Sequence, residues 1–227
     1  MLNLIYLRRY KKMKRYVLKA ITFIAVLVLA GSWFSFVSPQ TNGPDAWEQR
    51  WNNLQPPDKV MDTIGVKPGM IVGEVGAGRG RYAVKMAERV GPTGKVYAND
   101  IDPGKVEYLN FRLKRDSITN IETILGTVTD PRLPKGKLDI VYFINTYHHV
   151  EKPVELMKNI IPALKPGGLL VIIEHAPEKA TSMGHHCTPK ETVLQQAKEA
   201  GFKMVRLETF LEYDNIYILQ GLAAPTY

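Results

Sequence analysis

Cysteine is almost missing from this chain. The lone Cys187 excludes an internal disulfide, so cysteine usage does not assign a redox compartment. Acidic residues are missing too from positions 1–20, where Arg8, Arg9, Lys11, Lys12, Lys14, Arg15 and Lys19 stand together. Beyond them 23 Lys and Arg meet 22 Asp and Glu, so the body is nearly neutral and lacks the basic excess of a general nucleic-acid-binding surface. There is no internal repeat and no low-complexity tract. With 227 residues and 45% hydrophobic content, the chain can bury one good core, which sets the expectation of a single domain with an appendage.

Long uncharged runs are confined to one place. Residues 20–38 (AITFIAVLVLAGSWFSFVS) carry no charge, follow the basic cluster, and end in Trp33, Phe34 and Phe36 before Pro39. A run of about 18 to 20 residues just spans a hydrocarbon core as a helix, with the preceding bases held on the cytoplasmic side. A cleavable signal peptide fits nearly as well, because Val28-Leu29-Ala30 offers small residues before a cut. Three segments follow: 1–38 as a basic N-terminus plus signal or membrane anchor, 39–44 as a polar linker, and 45–227 as the working domain.

Within 45–227, helical and strand patterns alternate. Residues 45–54 form a short helix with Trp47 and Trp51 on one face, and 57–64 form a second closed by Gly65. Strand one leads into a glycine turn, after which Ala83, Met86, Ala87 and Val90 repeat at helical spacing. Then come a strand at 95–99, a helix at 103–116, strands at 121–125 and 138–144, a helix at 154–164 broken by Lys165-Pro-Gly-Gly168, and an almost wholly apolar strand at 169–174. Thr188-Pro-Lys-Glu191 is a capping-box sequence, predicting a last helix from there to about Gly201. Strands at 203–209 and 215–219 are joined too briefly for a parallel crossover and must pair antiparallel. The sum is an α/β, doubly wound sheet, mostly parallel with a C-terminal antiparallel hairpin.

The densest information lies in Ile71-Val-Gly-Glu-Val-Gly-Ala-Gly-Arg-Gly-Arg81. Glycines after an apolar strand let main-chain atoms approach a ligand while the next helix starts beside it. A dinucleotide fingerprint wants its third glycine at 81, where this chain has Arg81; the glycine falls at 80. Glu74 would repel a pyrophosphate and suits a ligand with a cationic amino group. In these residues the chain, from about Trp47 onward, resembles the class I S-adenosylmethionine-dependent methyltransferases. The resemblance implies their seven-stranded Rossmann-like sheet, S-adenosyl-L-methionine as cofactor, and methyl transfer as activity. Either topology of residues 20–38 sets the body in the membrane-anchored or exported state, away from where such a donor is made; a cytoplasmic protein with a buried N-terminal helix is the alternative.

Ligands of open α/β sheets sit beyond the carboxyl ends of the strands, so the strand-ending residues become candidates. For the cofactor these are Glu74, Gly76, Ala77, Gly78 and Gly80, then Asp100 as a carboxylate for two ribose hydroxyls, with Asp102 as its local rival. Where many relatives read Gly-Asp, this chain has Gly126-Thr127, so Asp130 is a substitute acceptor for the adenine edge, or a turn aspartate before proline. The second strong signal is Asn145-Thr-Tyr-His-His149, similar to the fourth motif of a methyltransferase subgroup. In that reading Asn145 holds the cofactor, and Tyr147, His148 and His149 shape the acceptor side; a packing role for the histidines stands beside it. His149 or His186 could serve as a base, being neutral near pH 7. No metal is expected, since adjacent histidines point apart on regular backbone. The acceptor expected is a small molecule or lipid-like compound. Two other classes stay open: an exported module binding a nucleoside-type ligand without catalysis, and an NAD-dependent oxidoreductase, disfavoured by Arg81 and by the lack of a Tyr and Lys pair at helical spacing.

Overall fold

The computed structural model describes residues 45–179 and 187–222. The proposed anchor or signal at 20–38, the linker, and His186 lie outside the described residues. Among the described residues no helix is long and apolar enough to cross a membrane.

Helix α1 spans Ala46–Leu54 and starts where the Asp45 carboxylate accepts the Glu48 N–H at 2.9 Å. Helix α2 (Pro57–Ile64) opens on a proline, whose missing N–H costs nothing in a first turn, and closes on Gly65 in the left-handed region. Then follow β1 (Ile71–Val75), α3 (Arg81–Val90), β2 (Lys95–Asp100), α4 (Pro103–Arg115), β3 (Ile121–Leu125), β4 (Leu138–Ile144), α5 (Pro153–Ile160), β5 (Leu164–His175), α6 (Lys190–Glu199), β6 (Phe202–Glu208) and β7 (Asp214–Gly221).

The seven strands form one sheet in the order β3-β2-β1-β4-β5-β7-β6. Strands β1 to β5 pair in parallel, and β7 runs antiparallel between β5 and β6. This is the doubly wound, Rossmann-like sheet with an antiparallel hairpin that the alternation of patterns predicts. Side chains alternate along β4: Ile140, Tyr142 and Ile144 join a core with Met61, Ala83, Met86 and Val90 from α2 and α3. Val141 and Phe143 join an opposite core with Leu156, Met157, Val193 and Ala197 from α5 and α6. Burial on both faces explains why the central strands carry almost no polar residues. Strand order reverses between β1 and β4, which opens a crevice at their carboxyl ends.

Two boundaries differ from the sequence reading. The helix expected to reach residue 164 ends at Ile160 and tightens into a 3-10 turn at Ile161–Ala163, where Pro162 has no N–H to continue the ladder. Strand β5 then begins at Leu164, not 169. Leu164 pairs with Leu138 but Leu169 pairs with Ile140, so the Lys165-Pro-Gly-Gly168 sequence bulges out of a strand already begun. The capping box is also absent: Pro189 occupies the cap position of α6 with no side-chain cap hydrogen bond. Thr188 instead is buried, its N–H donating to the His175 carbonyl at 3.2 Å, which ties it to the end of β5.

Candidate functional site

The glycine turn folds back on β2. Gly76 and Ala77 N–H groups both donate to the Asn99 carbonyl, at 2.9 and 2.8 Å, and the Gly80 N–H closes on the Ala77 carbonyl at 2.8 Å. All three glycines hold positive φ, at 76°, 54° and 77°. Their roles divide by what a side chain would meet. A Cβ on Gly76 would collide with Thr146, and one on Gly80 with Leu109, so these two positions serve close packing. Gly78 has no neighbour within 4 Å of that position, leaving its main chain bare toward a cavity.

Two cavities meet at Gly76 and Thr146. The larger, about 540 Å³, takes in Trp47, Trp51, Glu74, Asn145, His148 and His175. The smaller, about 290 Å³, is lined by Asn99, Asp100, Ile101, Thr127, Val128 and His149. Together they flank the glycine turn at the crevice where strand order reverses.

Glu74 is 4% exposed on the wall of the larger cavity, within 3.3 Å of the Tyr142 hydroxyl. Burial pushes its carboxyl up to about 8, against the opposing pull of the Arg81 charge and the Tyr142 hydrogen bond. Asp100 lines the smaller cavity, and its two oxygens accept the N–H groups of Gly78 at 2.8 Å and Asp102 at 3.0 Å. Asp102 is engaged elsewhere: it caps α4, accepting from Gly104 at 2.8 Å. Asn145 sits at φ 49° on the larger cavity, its side-chain oxygen accepting the Gln55 amide at 2.9 Å. Glu74, Gly76, Ala77, Gly78 and Asn145 therefore share one cavity, with Asp100 on the other.

The remaining sequence candidates fall apart from this group. Asp130 is exposed and accepts the Arg132 N–H at 2.7 Å; it lines neither cavity, whereas Thr127 and Val128 line the smaller one. Gly80 likewise acts from behind the turn. Tyr147 is buried, edge-on to Phe143 at 5.7 Å, with its hydroxyl donating to Gln196 at 2.7 Å. His149 lines the smaller cavity and His148 the larger, their ring centroids 4.1 Å apart. Among the described residues no group of three or more His, Cys, Asp or Glu is arranged to hold a metal ion.

Sequence reasoning missed four residues here. Gln55, fully buried, donates to both Asn145 (2.9 Å) and Asp214 (2.8 Å) and accepts from Arg81 (2.7 Å). His148 Nδ1 meets Glu174 Oε1 at 2.7 Å, and His175 Nδ1 lies 2.6 Å from Asp214 Oδ1. Glu174 and His175 end the apolar strand β5 and could have been marked by the same strand-tip rule that singled out Glu74 and Asp100. Gln55 and Asp214 carried no such signal.

A sequence family described as a methyltransferase domain matches residues 66–214, a span that holds the glycine turn, Asp100 and the Asn145 to His149 run. The chain belongs to this methyltransferase family. The resemblance read from the glycine turn is thereby shown, and with it the class I, S-adenosylmethionine-dependent type. The methyltransferase is 30% identical over 116 residues to the demethylmenaquinone methyltransferase of Lactococcus lactis, covering 51% of this chain and 46% of that one. It is 34% identical over 113 residues to the protein-L-isoaspartate O-methyltransferase of Pyrococcus horikoshii, covering 50% and 48%. The chain thus spans about half the length of the curated relatives it matches. In fold it is similar to a SAM-dependent methyltransferase from Aquifex aeolicus, with a TM-score of 0.69, 24% identity, and coverage of 78% and 98%. The site suits that family's cofactor: bare main chain at Gly78, a buried acid at Glu74 for a cationic end, and a second acid at Asp100.

Proposed function

We propose that the protein transfers a methyl group from S-adenosyl-L-methionine to a small-molecule or lipid-like acceptor held in the larger cavity. The observation that carries this reading is Glu74, a carboxyl buried on the cavity wall near an open glycine main chain, which suits a ligand with a cationic end. When bound, the cofactor supplies a methyl carbon made electrophilic by a positive sulfur, so the protein mainly has to hold donor and acceptor in line. In this reading Glu74 and Asn145 hold the amino-acid end, the main chain at Gly76, Ala77 and Gly78 borders it, and Asp100 accepts ribose hydroxyls. Gly80 supports the turn from Leu109, and Thr127 and Val128 take the adenine side with Asp130 bracing their loop. His149 stands on the smaller cavity with Tyr147 packed against Phe143 behind it, and His149 or His186 is a candidate base.

The two curated relatives act, by name, on demethylmenaquinone and on protein isoaspartate. Trp47, Trp51, His148 and His175 give the larger cavity an aromatic lining, which favours a flat, quinone-like acceptor over a peptide. The uncharged run at 20–38 behind seven bases supports anchoring or export, and cell fractionation with N-terminal sequencing of the mature protein tests it. The methyl-transfer reading is tested by calorimetric titration of the full chain with S-adenosylmethionine, S-adenosylhomocysteine and NAD. Saturable binding of the first two is expected; binding of NAD alone overturns it.

A further inference from the structure

We propose that His175, backed by Asp214, is the base that takes a proton from the acceptor, and that the acceptor is therefore a flat aromatic hydroxyl compound of the phenol or hydroquinone type. This rests on the methyl-transfer reading and deepens it. His175 ends β5 at the carboxyl edge of the sheet, 4% exposed, and lines the larger cavity. Its Nδ1 and Asp214 Oδ1 stand 2.6 Å apart, at ion-pair distance, and both atoms are sealed from solvent with no hydrogen bond to any other described residue. Nε2 is then the ring nitrogen left to the cavity.

Two cations act on the carboxylate: Arg81, through space, and Lys179, whose Nζ donates to the Asp214 main-chain carbonyl at 2.8 Å. Asp214 Oδ2 accepts from Gln55, a neutral amide, at 2.8 Å, and Oδ1 faces the imidazole. A proton arriving on Nε2 would place a cation on the ring that stands 2.6 Å from the Asp214 carboxylate. Charged or titratable groups around the pair include Glu174, whose Oε1 accepts the His175 main-chain N–H at 3.0 Å, and His148, whose ring lies 6.0 Å away at 20°, with Lys179 and Cys187 coupled to Asp214. On the Trp51 side the rings are 5.8 Å apart at 29°. Near-parallel aromatic rings around a base favour an acceptor that is itself flat.

The step balances with these groups alone. The acceptor O–H proton would pass to Nε2, and the electron pair freed on oxygen would be the nucleophile for the methyl group that a bound cofactor supplies. The cofactor's sulfur would keep the pair of the broken carbon–sulfur bond, and the imidazolium would return its proton to solvent. A carboxylate acceptor is already ionised and would leave the pair without a task.

The probe is 4-nitrophenol, whose phenolate absorbs visible light, added to the full chain saturated with S-adenosylhomocysteine at a pH where the free probe is mainly protonated. Bound phenolate is expected. In His175→Gln the bound phenolate fraction should fall roughly tenfold, equal to one unit of lost charge stabilisation. Asp214→Asn, which keeps shape but removes the charge, should give an intermediate loss, each variant being saturated with S-adenosylhomocysteine before the reading. Phenolate formation that survives His175→Gln and Asp214→Asn overturns the base. Absence of nitrophenol binding, or binding of benzoate in its place, overturns the acceptor class. Failure of the unaltered protein to bind S-adenosylhomocysteine instead sinks the methyl-transfer reading itself.

Discussion

Asp100 holds Gly78 directly: the carboxylate at the tip of β2 accepts the Gly78 N–H at 2.8 Å, while its second oxygen accepts from Asp102 at 3.0 Å. The acid and the bare main chain, 22 residues apart in sequence, are thus one mechanical unit. Each carboxylate oxygen has two lone pairs, so one per oxygen remains for a ligand hydroxyl. Asp100→Ala is expected to weaken S-adenosylhomocysteine binding by about 1.5 to 3 kcal/mol, as hydrogen bonds to a charged group are lost. Asp100→Asn keeps one acceptor and should lose less. Calorimetric titration of the three proteins ranks them, and equal affinities would remove Asp100 from the site.

Gly78→Val tests the open main chain. Its Cβ meets no atom within 4 Å, so the fold should survive, with a strain of about 1 to 2 kcal/mol from a β-branched residue at positive φ. The side chain would instead occupy the larger cavity. Donor binding should be lost while cooperative thermal unfolding is kept; retained affinity would contradict the assigned cavity.

Glu74 predicts a pH dependence in two forms. Its folded value of about 8 lies above its ordinary 4.5, so the native state keeps a proton that the unfolded chain releases between those limits. Stability of the ligand-free protein should therefore fall as pH rises from about 4.5 to 8, and Glu74→Gln should flatten this slope. A cationic ligand pairs with the ionised form, so affinity for S-adenosylhomocysteine should rise with pH, by about tenfold per unit below 8, and level off above it. Binding heats at pH 7 should change with the buffer's ionisation enthalpy, since a proton is released. A flat affinity profile in the unaltered protein would count against Glu74 as the partner of the charge.

Glu48 and Arg112 test how α1 is held. Arg112 forms paired hydrogen bonds to both Glu48 oxygens, at 2.5 and 3.0 Å, and a third to the Arg79 carbonyl at 3.0 Å. These nearly buried charges fasten the helix bearing Trp47 and Trp51 to α4 and the glycine turn. Arg112→Met leaves Glu48 uncompensated and should cost about 3 to 5 kcal/mol in urea unfolding. Replacing Glu48 by Met as well should recover most of that loss.

Much of the fold was legible because period and punctuation agreed. The residues from Leu138 to Ile144 are too apolar for any place but a central strand, and β7 could not return parallel after so short a connection. The misreadings arose where tertiary pairing overrode a local signal. Lys165-Pro-Gly-Gly168 is turn-forming by composition, yet Leu164 already pairs with Leu138. Thr188 has cap chemistry, yet its N–H is bound to His175.

Local composition alone determined the glycine turn, the acid before it, and the acid one strand away, because each lies on a strand tip and backbone geometry dictates what stands there. Only the folded chain decided that Gln55, Asp214 and His175 meet, since α1, β7 and β5 are brought together by sheet order and not by spacing along the sequence. The reason is physical: a turn is specified by torsions of adjacent residues, whereas a buried hydrogen-bond hub is specified by which distant elements exclude water from the same place.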